Sequence, residues 1–117
     1  MSTLKVTNIQ ATGETAIRAV SGVAAAWAFF DGTGTPSLDG SFNTTSLTDQ
    51  GTGLFLLTWT SAMSDANYSS SGAGRSILLT GSAGVQTTST VRVASINDAG
   101  ASVDDTNNSV STHGGLA

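Results

Sequence analysis

His113 is the only histidine in a chain of 117 residues, so hydrolase chemistry built on an imidazole base would have to pair it with one of 35 serines and threonines. Such a pairing needs its serine on a sharp turn that exposes Oγ, and the sequence has no G-x-S-x-G elbow to make one. In the hydroxyl-rich stretch Ser109-Val-Ser-Thr-His113 the imidazole reads as a strand residue, at the surface or on a subunit axis. Asp31-Gly-Thr-Gly-Thr35 offers closely spaced backbone N–H groups to a phosphate. It lacks the Gly-Lys-Ser/Thr ending that grips one, no helix is expected after it, and it reads as a turn. Asp49, Asp65, Asp104 and Asp105 carry the hard oxygens that calcium takes, yet none stands in the D-x-[DN]-x-[DN]-G spacing that wraps the ion. They read as turn carboxylates. Without cysteine there is neither a thiolate metal site nor a disulfide framework. No catalytic residue, metal or cofactor is expected.

Binding is the chemistry left to consider, and its candidates are the large rings. Aromatic faces stack on sugars, but a tryptophan in an apolar strand more often fills a core. Trp27, Phe29, Phe30 and Trp59 are accordingly expected in core or subunit packing, with the alanines on the Phe30 side allowing a neighbouring chain to approach. Tyr68 and Arg75 flank the serine- and glycine-rich residues 69–74, a flexible tip by composition, and are the expected surface contacts for a binding partner. Nucleic acid is not an expected partner: the net charge is −4, and Lys5, Arg18, Arg75 and Arg92 cannot form the basic stripe that displaces counterions from phosphates. The N-x-S/T matches at Asn43, Asn67 and Asn107 are what chance gives in a chain this rich in hydroxyls. No window approaches the roughly 18 apolar residues of a membrane span, and the first residues lack the apolar run of a signal peptide. Neither membrane insertion nor export by the usual route is expected.

Elements must position these side chains. Only 10% of residues are charged, against about 25% in an average domain, so solubility rests on hydroxyls. With 14 glycines, one proline and abundant β-branched threonine and valine, the composition favours strands over helices. The length fits one domain. Residues 4–9 alternate as a short strand or extended arm, and residues 16–20, which suit a helical turn or a strand, are read as extended. Residues 23–30, 41–47, 54–59, 77–80, 87–96 and 109–113 read as strands, and Tyr68 opens a weaker one. Between them, 31–36, 48–53, 81–86 and 97–100 are turns and 61–67 a loop. Strands at intervals of about 8–12 residues predict an all-β protein, an antiparallel β-sandwich with Greek-key or jelly-roll-like winding. The apolar side chains are few for the entropy they must offset, roughly 1.5 kcal/mol per ordered residue, so burial between copies of the chain is also expected.

Residues 20–72 closely resemble a module of tailed-bacteriophage fibre proteins. The first piece is a W-x-x-F-x-G-T-G-T strand and turn, here Trp27, Phe30, Gly32, Thr33, Gly34 and Thr35. The second is S-F-N-x-S-S-x-T-D-x-G-T-G, here Ser41, Phe42, Asn43, Ser46, Thr48, Asp49, Gly51, Thr52 and Gly53. The third is a D-A-N-Y corner, Asp65, Ala66, Asn67 and Tyr68, and residues 87–114 resemble the closing hairpin and last strand. Residues 54–59 depart from the pattern, being more apolar than the module's alternating strand. The opening MSTLKVTNIQATGETAI resembles the start of short phage fibre proteins, which implies a complete small virion protein. The resemblance implies a homotrimer with a β-sandwich fibre-tip domain at residues 21–117 and an N-terminal attachment arm at residues 1–20. It implies a structural virion protein of the tail-fibre type, made in the host cytoplasm, that binds a host cell-surface glycan or protein while residues 1–20 hold another tail or head protein. A head-fibre or decoration protein, or a tail connector with no receptor contact, is the alternative it leaves. An enzyme is not implied, since phage depolymerases use a much longer solenoid.

Overall fold

Alternation of apolar and hydroxyl side chains, cut at short intervals by glycine turns, gives strands throughout and no α-helix among the described residues. The computed structural model describes residues 2–10, 12, 13, 15, 18, 19, 22–80 and 86–117. Of residues 16–20 only Arg18 and Ala19 are among these, and of the turn expected at 81–86 only Gln86; the rest of both expectations lies outside the described residues. The strands are β1 (Asn8–Ile9), β2 (Arg18–Ala19), β3 (Ala24–Asp31), β4 (Ser37–Phe42), β5 (Thr44–Asp49), β6 (Leu54–Trp59), β7 (Ser69–Ala73), β8 (Ile77–Thr80), β9 (Thr90–Ile96) and β10 (Asn108–His113). β1 and β2 pair with each other in a small sheet of their own.

The other eight strands form two four-stranded antiparallel sheets, in the orders β4-β3-β10-β7 and β5-β6-β9-β8. The chain crosses between the sheets four times, at β4–β5, β6–β7, β7–β8 and β9–β10, and because the first and third of these join edge strands, both long sides of the sandwich are bridged by covalent corners. β7, β8 and β9 follow one another around the sandwich and β10 returns beside β7, which is Greek-key winding.

Each inner face is set by the period of two. From β3 come Ala26, Ala28 and Phe30; from β6, Phe55, Leu57 and Trp59; from β9, Val91 and Val93; from β10, Val110. Phe30 meets Phe55 across the sheets edge-on, with ring centroids 5.3 Å apart. The alanines give that contact its room. A larger residue at Ala26 or Ala28, both fully buried, would push the sheets apart.

Four expectations are corrected here. The alanine side of β3 does not meet a neighbouring chain; the second sheet of the same chain covers it. Trp27 and Phe29, which alternate with those alanines, are therefore turned out of the core and stand 44% and 38% exposed. Residues 41–47 are not one strand, because Asn43 takes a positive φ of 54° and sends the chain from β4 in one sheet to β5 in the other. Residues 69–74 are not a flexible tip: most of them form β7, paired along its whole length with β10. Its inward Ser70 shares a hydrogen bond of 2.8 Å with Thr112, and Gly72 leaves the space that Leu78 fills, since a Cβ there would lie 2.7 Å from the leucine side chain.

Smaller shifts have equally local causes. Thr87 Oγ1 accepts the N–H groups of Ser89 and Thr90, a turn that delays the start of β9 from residue 87 to Thr90. At the other end, Gly53 holds a positive φ of 67° where its carbonyl accepts the Ser95 N–H at 2.7 Å and its own N–H meets Asp104 at 2.7 Å. A side chain at that position would collide with the backbone of Ser95 and Val103.

Candidate functional site

The register of the first sheet arranges its outward side chains in rows. Phe42 of β4 lies opposite Trp27 of β3, Trp27 opposite Ser111 of β10, and Ser111 opposite Ser71 of β7. One step along, Gly40, Phe29, Ser109 and Ala73 form the next row. Paired residues share a face, so the outer surface of this sheet is aromatic over β3 and β4 and hydroxylic over β10 and β7. Phe42 is 55% exposed, the most open ring of the three. The six-membered ring of Trp27 reaches over Gly40, at a distance where even a Cβ would be in ordinary contact with it. A shallow groove of about 220 Å³ lies beside the rings, lined by Ser71, Gly72, Ala73, Ser109 and Ser111.

Inward and outward hydroxyls differ in a way that bears on binding. Ser70 and Thr112, facing the core, satisfy each other. The hydroxyls of Ser71, Ser109 and Ser111, facing out, have no protein partner among the described residues and are open to a ligand. The face is also uncharged along both rows. Asp31 and Asp39 lie beyond Phe29 towards the β3–β4 turn, and His113 lies at the other end, opposite Ser69.

The residues singled out in the sequence fall in other places. Tyr68 is 7% exposed and cannot be a surface contact. Its hydroxyl is drawn inside by three partners: it accepts the Trp59 indole N–H at 3.3 Å and donates towards the carbonyls of Thr87 and Thr90. Arg75 is exposed in the β7–β8 corner, on an open groove of about 480 Å³ shared with Gly74, Ser76, Ile77, Asn97 and Asp98. β7 runs between Tyr68 and Arg75, so the two stand at opposite ends of a strand and are not brought together. Trp59 and Phe30 are buried in the core.

The acids close turns. Asp31 Oδ1 accepts the hydroxyl of Thr33, the larger influence, and its N–H, which together hold the carboxyl below the usual range and tie the Asp-Gly-Thr-Gly-Thr loop to itself. Asp49 accepts from Gly51, Asp65 from Asn67 and Asp104 from Gly53. Asp105 is lowered chiefly by the Ser76 hydroxyl at 2.6 Å, helped by the Thr106 N–H and by the charge of Arg75. Among the described residues no three His, Cys, Asp or Glu side chains converge as metal ligands, and no helix is long and apolar enough to cross a membrane.

The outer face of the second sheet is apolar along β8 and its neighbours, with Arg92, hydrogen-bonded to Gln50, farther across it. Leu78 is buried, so Ile77 and Leu79 point away from the core, where they are exposed beside Ile96 and Ala94 of β9. Leu54, half-buried, sits across from Ala94 on the same face.

Phe42 and the serines Ser71, Ser109 and Ser111 are the site residues that the sequence reading missed. The signal for Phe42 was the S-F-N step itself: a phenylalanine just before the corner asparagine, with only polar residues and glycine for three positions on either side. No family model matches the chain, and no curated protein or solved structure matches it.

Proposed function

We propose that this protein is a non-enzymatic structural virion protein of a tailed phage, of the tail-fibre type, which attaches the particle to a host-cell surface. The observation that carries the reading is the outer face of the first sheet, where Trp27, Phe29 and Phe42 stand in water beside a row of unpartnered serines. Rings held in the open by a sheet whose core is already filled are characteristic of an interaction surface. The fibre-module motifs supply the setting. One such face gives a weak contact, and several copies on one particle multiply it.

In this reading the chain is a homotrimer made in the host cytoplasm and carried on the virion. Residues 1–20 grip a tail or head protein, and the sandwich of residues 21–117 is presented outward. Leu4, Val6 and Ile9, all exposed, are the apolar side chains that such an arm would bury in its partner. Subunits would pack through Ile77, Leu79 and Ile96 on the second sheet, since the alanine side of β3 is taken by the core.

A second reading, a head-decoration protein or tail connector that touches no receptor, is favoured by one observation: apolar side chains stand on both outer faces, as in a piece held between two partners. Purified protein added to host cells before the parent phage separates the two, with oligomeric mass measured by light scattering on the same sample. The adhesin reading predicts a trimer that binds cells and lowers phage adsorption. A stable oligomer that ignores cells contradicts it and supports the connector.

A further inference from the structure

We infer that the outer face of the first sheet binds a neutral oligosaccharide laid across the four strands, stacked on the rings at the β4 end and hydrogen-bonded at the β7 end. The inference rests on the adhesin reading and names its ligand class.

Three features fix that class. The row Phe42, Trp27, Ser111, Ser71 crosses the whole sheet in register. Three strand spacings of about 4.8 Å make it roughly 14 Å long, the reach of a short oligosaccharide and more than one sugar needs. The row is amphipathic in the way a sugar is. A pyranose offers an axial C–H face, which loses little on leaving water for an indole or phenyl face, and an equatorial rim of hydroxyls that both donate and accept. Serine hydroxyls do both, whereas ammonium or carboxylate groups do only one. Ser71, Ser109 and Ser111 have that capacity unspent, and they line one groove on the strands next to the rings.

The third feature is charge. No ionised side chain stands in either row, and the carboxylates at the margin, Asp31 and Asp39, would repel an acidic polysaccharide. Arg75, two residues beyond Ala73, is drawn to Asp105, and His113, at the far margin opposite Ser69, is one imidazole, so neither offsets the two carboxylates. A second copy of the chain is a poorer occupant for this surface, because packing it there would bury three unpartnered serine hydroxyls with nothing specified to satisfy them.

The test uses the full-length protein and polysaccharide extracted from the host envelope, split by anion exchange into neutral and acidic fractions. Trp27 is open to acrylamide and Trp59 is buried, so quenching of tryptophan fluorescence reports on Trp27. The neutral fraction should protect Trp27 saturably and the acidic fraction should not. Read by isothermal titration calorimetry, which does not need Trp27 as a reporter, Trp27→Ala and Ser71→Leu, the second filling the groove two strands away from Trp27, should each weaken binding of the neutral fraction at least tenfold with unchanged circular dichroism. Binding of the acidic fraction alone, or equal affinity in both variants, overturns the inference. So does protection of Trp27 in the free protein with dissociation of an oligomer by Trp27→Ala, which would make the face a subunit interface. Wild-type protein that binds cells but neither fraction overturns the glycan and leaves the adhesin; protein that binds no cells overturns the adhesin reading itself.

Discussion

The Tyr68 hydroxyl takes the Trp59 indole N–H and gives its proton to carbonyls of the turn that begins β9, so one phenol joins three segments. Tyr68→Phe leaves the indole N–H without a partner in a buried site and should cost about 1–3 kcal/mol, read from the urea midpoint. Burial also raises the phenol above its ordinary value of 10.0. The folded state then holds this proton more tightly than the unfolded one, so the contribution is complete below pH 10 and is lost as pH climbs through the raised value. The alkaline limb of stability against pH should flatten in Tyr68→Phe. At Asp105 the sign is opposite: the Ser76 hydroxyl lowers its pKa from 3.8, so stability is present above that value and lost as pH falls further. Ser76→Ala should move the acid-unfolding midpoint upward. Ser95 is a contrasting case, fully buried with an Oγ that has no partner among the described residues. Ser95→Ala removes a desolvated hydroxyl and should leave the urea midpoint unchanged or raise it, by up to about 1 kcal/mol.

Asn43 is the corner that makes one sheet into two. Its Nδ2 donates to the carbonyls of Ala25 and Ser61 at 3.1 Å each, and its Oδ1 accepts the Ser61 N–H at 2.7 Å, all while the backbone holds a left-handed φ. Asn43→Gly keeps the backbone and loses the three bonds. Asn43→Ala loses both and should be less stable than the glycine variant by about 1–2 kcal/mol in the same urea titration. This corner shows where sequence reasoning stopped. The strands at residues 23–30, 54–59 and 77–80 were legible as elements because each is a short apolar run bounded by glycine or polar turns, too short for a helix. Residues 41–47 looked like one polar strand because positive φ at an asparagine leaves no periodic mark. The serines of β7 looked like a loose linker because what orders them, Ser70 on Thr112 and Gly72 under Leu78, comes from strands distant in sequence. The face of the Trp27 strand was misassigned for a related reason. Alternation separates Trp27 and Phe29 from Phe30 and the alanines, but which set faces inward depends on a partner sheet that packs better against small residues and one ring than against two rings.

At the scale of the molecule, the sandwich completes its core with Phe30, Phe55, Leu57, Trp59 and the valines of β9 and β10, and leaves two further groups of large apolar side chains outside, one on each sheet. A chain with 10% charged residues that keeps Trp27, Phe29 and Phe42 in water gains solubility and stability little by doing so. The division of labour proposed here gives the first sheet to the receptor and the second to neighbouring copies. It predicts that Ile77→Asp with Leu79→Lys, both changes on exposed positions, yields a folded protein of lower oligomeric mass in light scattering, with Trp27 accessibility unchanged. The most direct measurement of the central claim is host-cell binding by Trp27→Ala beside its thermal unfolding. Since Trp27 is largely outside the core, the variant should lose no more than about 1–2 kcal/mol of stability while cell binding falls at least tenfold. Cell binding equal to that of the wild type would contradict it.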